Sequence, residues 1–295
     1  MTTTSETAPQ VLVLAVGGTG ESYPGDERTA VTGMLAAVTD ALDERFVGRW
    51  VPYPASYGPS PDREGISYLD SVALGVERLS AEIAAARVPV MLIGYSQGAV
   101  VIRTALAGPG GAELARKVSA VGLVADPHQP PGAVPGADGW GVAGPGPDLP
   151  AGLPVFWVGA DDDVICNASP DSLVRDIADL TPSLSLLQPR HWLGDAAARI
   201  RSGRMQNAAL TRFSPRQWWR DAARLGVAAR EVLGYLPAGW RLGRWRLTNR
   251  TGGRHVSYAA EPYRRAPLTD PDSTACQVLA GHLQVQATLG ERMIV

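Results

Sequence analysis

The chain has 295 residues, 27 Lys+Arg against 29 Asp+Glu for a formal net charge of −2, with 45% hydrophobic and 19% charged residues. This is the composition of a globular chain of one large or two small domains, which excludes global disorder, and at this length folding buries roughly 75% of the unfolded surface without help from disulfides or metals. The two cysteines, Cys166 and Cys276, are spaced as in no zinc or redox motif, which excludes a disulfide scaffold and leaves no metal site to expect.

The amino terminus, MTTTSETAPQ, has no basic start and no apolar run before a small-residue cleavage site, so no secretory signal is expected and synthesis in the cytoplasm is. No apolar stretch reaches the ~18 residues of a membrane span. Val11 to Val16 (VLVLAV) is the continuous apolar run of a strand buried on both faces. Thr29 to Leu42 reads as helix and Arg49 to Tyr53 as a second strand. Tyr68 to Ala86 is an amphipathic helix with apolar positions at Val72, Leu74, Val76, Leu79 and Ile83. Val90 to Ile93, Val121 to Ala125 and Val155 to Val158 are the third to fifth strands, with a helix from Gln97 to Ala107 after the third. The alternation predicts an α/β fold with a mainly parallel five-stranded sheet flanked by helices.

Pro130 to Pro154, rich in Gly and Pro, reads as a long loop. Ser169-Pro170 and Ser214-Pro215 each place an N-cap serine before a proline suited to the first helical position. The helix from Pro215 carries Trp218, Ala222, Leu225, Ala229, Val232 and Leu236 as an apolar stripe, with arginines opposite, and a last helix spans Ser273 to Leu289. The expected division is a core over 8–168, a helical insertion over 169–250 and a return to the core over 251–295.

Between Arg190 and Arg265 sixteen arginines stand against Asp195, Asp221, Glu231 and Glu261, a balance of +12, and five of the eight tryptophans lie in the same span. No nucleic-acid reader motif accompanies them, so nucleic acid is not an expected partner. Either the segment docks on a lipid or envelope polymer, or it is a helical cap whose tryptophans are core. A nucleotide is not expected either: after Gly18 and Gly20, Tyr23 occupies the place of the third fingerprint glycine, and Lys117 is in no P-loop context.

Gly94-Tyr95-Ser96-Gln97-Gly98 follows an apolar strand and opens a helix, the strand, turn and helix that a nucleophile elbow requires. Glycines two residues either side let the turn tighten where a Cβ would not fit. A nucleophilic Ser96 needs a carboxylate and then a histidine later in the chain. Asp161, Asp162 and Asp163 follow the fifth strand, and position alone does not choose among them. His128 precedes them and His282 lies in the last helix, whereas His255 sits in a Gly-Gly-Arg-His turn from which a ring can reach a sheet edge; of His191, His255 and His282 the context favours His255.

Several segments together resemble the cutinase family, and especially the lysin B esterases of mycobacteriophages. These are G-T-G-E at Gly18 to Glu21, Y-P-A-S-Y at Tyr53 to Tyr57, G-Y-S-Q-G-A at Gly94 to Ala99, A-D-P at Ala125 to Pro127, D-V-I-C at Asp163 to Cys166, and H-V-S-Y at His255 to Tyr258. The resemblance implies a cutinase-like α/β-hydrolase fold with a helical insertion, Asp163 as the triad acid and His255 as the base. It places the oxyanion donors on the backbone amide of Gln97 and on Thr19. The chain departs from secreted cutinases in lacking a signal and a cysteine near Cys166, and in the long insertion between Asp163 and His255; lysin B enzymes share these departures.

The implied function is a serine esterase that cleaves the ester between mycolic acids and arabinogalactan in a mycobacterial-type envelope, reached from the cytoplasm once the host membrane fails, with no cofactor. Trp218, Trp219 and Tyr95 are the expected substrate contacts. The insertion is expected to wall an acyl groove while remaining separable from hydrolysis of small soluble esters. A cellular cutinase-like lipase acting on acylglycerols or polyesters, a mycolyltransferase, and an inactive envelope-binding protein are the alternatives.

Overall fold

The structure, a computed structural model, describes residues 11–185, 187–203, 205–206, 215–242, 245–263 and 270–292. The amino-terminal stretch 1–10, Ser214 and the side chain of Trp218 lie outside the described residues.

Strand β1 (Val11–Val16) has all six residues buried, as a Val/Leu run must when helices cover both faces of a sheet. It lies between β2 (Phe46–Trp50) and β3 (Val90–Tyr95), and β4 (Val118–Val124) and β5 (Val155–Val158) follow in a five-stranded sheet of order β2-β1-β3-β4-β5. Every neighbouring pair is parallel. This is an α/β fold with the expected parallel five-stranded sheet flanked by helices.

Side chains alternate across the strands and build two cores. Val11, Val13, Ala15, Met91 and Ile93 share one with Cys276, Leu279 and Leu283 of helix α8 (Ala275–Arg292). Leu12, Leu14, Val16 and Leu92 share the other with Leu79 and Ile83 of α2 (Tyr68–Ala85) and Val101 and Ile102 of α3 (Gln97–Ala107). Because β2 lies to one side of β1 and β3 to the other, the loops leaving the carboxyl ends of β1 and β3 part there and open a crevice.

Three local expectations are corrected. Instead of one helix over 29–42 there is a short 3-10 turn (Gly33–Leu35) and a single turn, α1 (Ala36–Thr39); Gly33 is left-handed at φ +64° and the Met34 amide is held by Glu21 Oε1 at 2.7 Å, so the segment before it is a loop. The second strand begins three residues early and ends at Trp50, because Pro52 and Pro54 cannot extend a ladder. The cap of α5 (Leu173–Leu180) is Ser172, which accepts from the Val174 amide at 3.1 Å, while the Ser169 hydroxyl goes instead to Glu231 Oε1 at 2.8 Å.

Short α4 (Gly111–Ala115) leads into β4. The long loop after β4 is pinned by a buried ion pair. Asp126 Oδ2 accepts from Arg103 Nε (2.7 Å) and Trp157 Nε1 (3.1 Å), and its Oδ1 from the His128 amide (2.9 Å). Arg103 also donates to the carbonyls of Pro147 and His128. Further along, the buried Arg175 guanidinium donates to the carbonyls of Trp140, Gly141, Ala168 and Ser169 and lies 4.2 Å over the Trp140 ring; burial lowers its pKa to about 10.

The insertion contains α5, α6 (Pro189–Ser202), α7 (Pro215–Tyr235) and an antiparallel hairpin, β6 (Gly239–Leu242) with β7 (Trp245–Thr248), which the sequence pattern did not indicate. The predicted apolar stripe of α7 does not face a core. Leu225 and Val232 are exposed, and Arg224 is turned inward, donating to Asp171 O at 2.9 Å and pairing with Asp176 at 3.3 Å. Polar contacts, with Glu231 bound to Ser169 and Ser172, thus orient this helix against α5. Cys166 and Cys276 are buried free thiols, and burial pushes the Cys276 thiol up to about 12.

Asp126→Ala would leave the buried Arg103 guanidinium without its counter-ion and take the acceptor from the Trp157 indole N–H and the His128 amide N–H. A loss of about 3–5 kcal/mol is expected in urea unfolding, against little change for exposed Asp138→Ala.

Candidate active site

At the end of β3 the chain turns sharply into α3 through Ser96, whose backbone is left-handed (φ +52°, ψ −115°). For a residue with a Cβ such a conformation costs on the order of 1–3 kcal/mol and persists only where the surroundings enforce it. The Ser96 amide donates to Val124 O at 2.9 Å. A Cβ on Gly94 would lie 2.9 Å from the Ala99 nitrogen, and one on Gly98 would lie 1.9 Å from Val16 O. Both glycines are thus steric requirements of the turn. Ser96 is the N-cap of α3 but makes no side-chain capping bond, which leaves its hydroxyl for another partner.

That partner is His255, whose Nε2 lies 3.0 Å from Ser96 Oγ while its Nδ1 lies 2.8 Å from Asp163 Oδ2. An imidazole held this way carries its proton on Nδ1 and presents Nε2 as an acceptor to the hydroxyl. Asp163 is fully buried. Burial alone would raise its pKa, but the nearby His255 charge and hydrogen bonds from His255, from Tyr258 Oη at 2.6 Å and from the Ile165 amide outweigh it, so the carboxyl lies below its ordinary value. A depressed folded pKa contributes stability above the unfolded value of about 3.9, lost as pH falls through the folded one. Asp162 pairs with Arg254 at the surface and Asp161 offers its carbonyl to Asn167, whereas the carboxylate on His255 Nδ1 is that of Asp163. Of the other histidines, His191 is exposed beside Asp195, His282 stacks on Phe156, and His128 bonds Gly144 O.

The His255 turn (Arg254–Val256) is built on the insertion. The Gly253 amide donates to Leu236 O at 2.8 Å, the Asn249 amide to Ala238 O at 2.8 Å, and Asn249 Nδ2 to Leu233 O at 2.6 Å. The imidazole lies between Tyr95 (centroids 5.0 Å apart) and Tyr235, the last residue of α7 (5.3 Å). Helix α7 therefore carries the histidine, which speaks against an insertion separable from soluble-ester chemistry. Tyr95, expected at the substrate, is instead buried behind the ring and donates to His255 O at 2.7 Å.

The Gln97 amide opens α3 and is one of the amides that a helix start leaves without an intrahelical acceptor, at the end favouring negative charge. Thr19 Oγ1 donates to Gln97 Oε1 at 3.3 Å, and Thr19, Ser96 and Gln97 border one cavity. A Cβ on Gly18 would lie 2.8 Å from the Tyr95 ring and 3.3 Å from Ser96 Cβ, so the loop after β1 runs directly against the elbow. Glu21 holds this loop, accepting from the Gly18 amide at 2.8 Å and the Met34 amide at 2.7 Å. Burial raises its pKa, opposed by those two hydrogen bonds and by the charges of His255 and Arg28.

The cavity has a volume of about 750 Å³ and is lined by Ser96, by Val100 and Thr104 of α3, by Val142 and Val164, and by Ile177 of α5 and Val232 of α7. Its walls are mainly apolar, the common design of a small-molecule site with few polar groups at the reacting end. Trp219 is not among the lining residues; it is 83% exposed, because α7 turns Arg224 inward. The supporting neighbours not singled out from sequence are Tyr258 on Asp163, Tyr235 on the His255 ring and Glu21 on the Gly18 loop; the first and last lie inside quoted motifs, whereas nothing local marks Tyr235.

Residues 47–129, from β2 through the elbow to the loop after β4, match the PE-PPE domain. No curated protein matches the chain. Among solved structures, lysin B from Mycobacteriophage D29 is 16% identical, with 93% of this chain and 99% of that one covered and a TM-score of 0.45. An acetyl xylan esterase is 19% identical over 65% of this chain and 99% of that one (TM-score 0.39), and a cutinase-like protein from Cryptococcus sp. is 18% identical over 63% and 95% (TM-score 0.39).

Tyr258→Phe removes a donor from Asp163, making the carboxylate more basic and the imidazolium it faces more stable, so the acid limb of the kcat/KM profile for a soluble ester is expected to move to higher pH. Tyr235→Ala is expected to lower kcat/KM about tenfold while Tyr235→Phe, which keeps the ring, stays near wild type; steady-state kinetics on both variants decides it.

Proposed function

We propose that the protein is a carboxylic ester hydrolase working through an acyl-enzyme, with Ser96 as nucleophile, His255 as general base and acid, and Asp163 as the group that fixes and supports the imidazole. The observation that carries this reading is the unbroken line from Asp163 Oδ2 through both His255 nitrogens to Ser96 Oγ, at 2.8 and 3.0 Å. As Ser96 Oγ attacks the ester carbonyl carbon, its proton passes to His255 Nε2, and the oxyanion forms beside the Gln97 amide and Thr19. His255 then gives the proton to the leaving alkoxide as the carbonyl reforms. Water, deprotonated by the same Nε2, attacks the acyl-enzyme and regenerates Ser96 with release of the acid.

The acyl group would occupy the apolar cavity, whose course along α3 suits a long hydrocarbon chain better than a short polar one. Taken with the motif resemblance, this favours a long-chain lipid ester, and the mycolyl ester of arabinogalactan is the substrate we propose. Cleavage of such an envelope polymer is the role of the lysin B enzymes that the motifs resemble.

Ser96→Ala is expected to lower kcat for p-nitrophenyl butyrate by on the order of 10⁶ with an unchanged melting temperature; retention of most of the activity would remove Ser96 from the mechanism. Mass spectrometry of lipids released from purified mycolyl-arabinogalactan-peptidoglycan tests the substrate. Free mycolic acids are expected, whereas release from triacylglycerol alone would assign the protein as a lipase.

A further inference from the structure

Nine of the sixteen large apolar side chains that stand exposed among the described residues fall between Ile177 and Tyr235. Helix α6 has no buried residue at all. Leu193 (57% exposed) and Ile200 (58%) lie two turns apart on one of its faces, and Trp219 of α7 is 83% exposed. A surface helix of a globular domain normally turns its apolar stripe to the core, and here the stripe faces out.

The charge of the same segment is one-sided. Helix α6 carries Arg190, Arg199 and Arg201 against Asp195, and the stretch from Arg190 to Arg265 has a balance of +12. An exposed apolar face flanked by arginines is the pattern of a helix that lies in a lipid interface, apolar side chains in the acyl region and guanidinium groups among anionic headgroups. The apolar cavity reaches the same segment, with Ile177, Arg199 and Val232 in its lining, and Ile177 and Val232 are also exposed at the surface.

We propose that α6 and α7 dock the protein on an anionic lipid surface, with the cavity mouth turned toward it. A lipid surface, rather than a second protein, is favoured by the excess of arginine and by the continuity of the exposed face with an apolar channel that leads to Ser96. The proposal takes its purpose from the ester-hydrolase reading, but binding itself needs no turnover. The two are therefore separated by measuring binding on the Ser96→Ala chain and hydrolysis on the Ser96 chain.

Full-length Ser96→Ala protein is sedimented with phosphatidylcholine vesicles made with or without phosphatidylglycerol. Binding is expected to be at least about tenfold tighter to the anionic vesicles and to weaken as salt is raised from about 0.1 M to about 0.5 M. Leu193→Asp/Ile200→Asp is expected to weaken it at least about tenfold, and Arg190→Glu/Arg201→Glu about tenfold, with melting temperatures unchanged because all four positions are exposed. In the Ser96 background both double variants should keep p-nitrophenyl butyrate hydrolysis within about twofold of wild type, since neither touches the triad. Binding that ignores phosphatidylglycerol, absence of binding, or binding untouched by either double variant overturns the docking while leaving the esterase intact. Light scattering that finds a dimer dissociated by Leu193→Asp/Ile200→Asp assigns the face to a second copy and also overturns it. Vesicle binding without soluble-ester hydrolysis by wild type would instead count against the hydrolase.

Discussion

One imidazole held between two oxygen atoms organises this molecule. His255 must keep Nδ1 on Asp163 and Nε2 on Ser96 at the same time, and each neighbour is fixed by a different part of the fold. Ser96 stands on a strained turn between β3 and α3 that only glycines at 94 and 98 permit. Asp163 is buried beyond β5 and kept ionised against the cost of burial by donors that include Tyr258. Misplacing any one of the three breaks the line, because hydrogen bonding weakens steeply away from about 3 Å and good alignment.

The third support comes from a less expected place. The turn bearing His255 hangs from the end of α7 through backbone carbonyls at 233, 236 and 238, and Tyr235 covers the ring opposite Tyr95. The insertion is in turn tied to the core by Arg175, which donates to the carbonyls at 140, 141 and 168, and α7 is tied within the insertion by Glu231 to Ser169 and Ser172. Directional bonds position an element without needing its apolar side chains, and that leaves the apolar face of α6 and part of α7 outward. The same segment can thus hold the His255 turn from beneath and present an apolar, arginine-bordered surface outside.

The sheet was legible because buried parallel strands are short continuous apolar runs, and VLVLAV or VMLI admits few other readings. The Ser96 turn was legible because its glycines are local steric necessities. The choice of Asp163 among three consecutive aspartates was not, since all three follow the strand and only burial against Tyr258 distinguishes them; the motif resemblance supplied that choice. What the face of α7 meets was not legible, because an apolar period says which residues share a side, not whether anything covers it. Tyr235 was invisible because its partner is twenty residues on in sequence and adjacent only in space.

The most direct measurement is covalent labelling by a fluorophosphonate, read by peptide mass spectrometry on the native chain and on His255→Ala. A single adduct on Ser96 is expected in the native protein, with labelling slowed by several orders of magnitude in the variant. An adduct elsewhere, none at all, or an equal rate without His255 would contradict the triad.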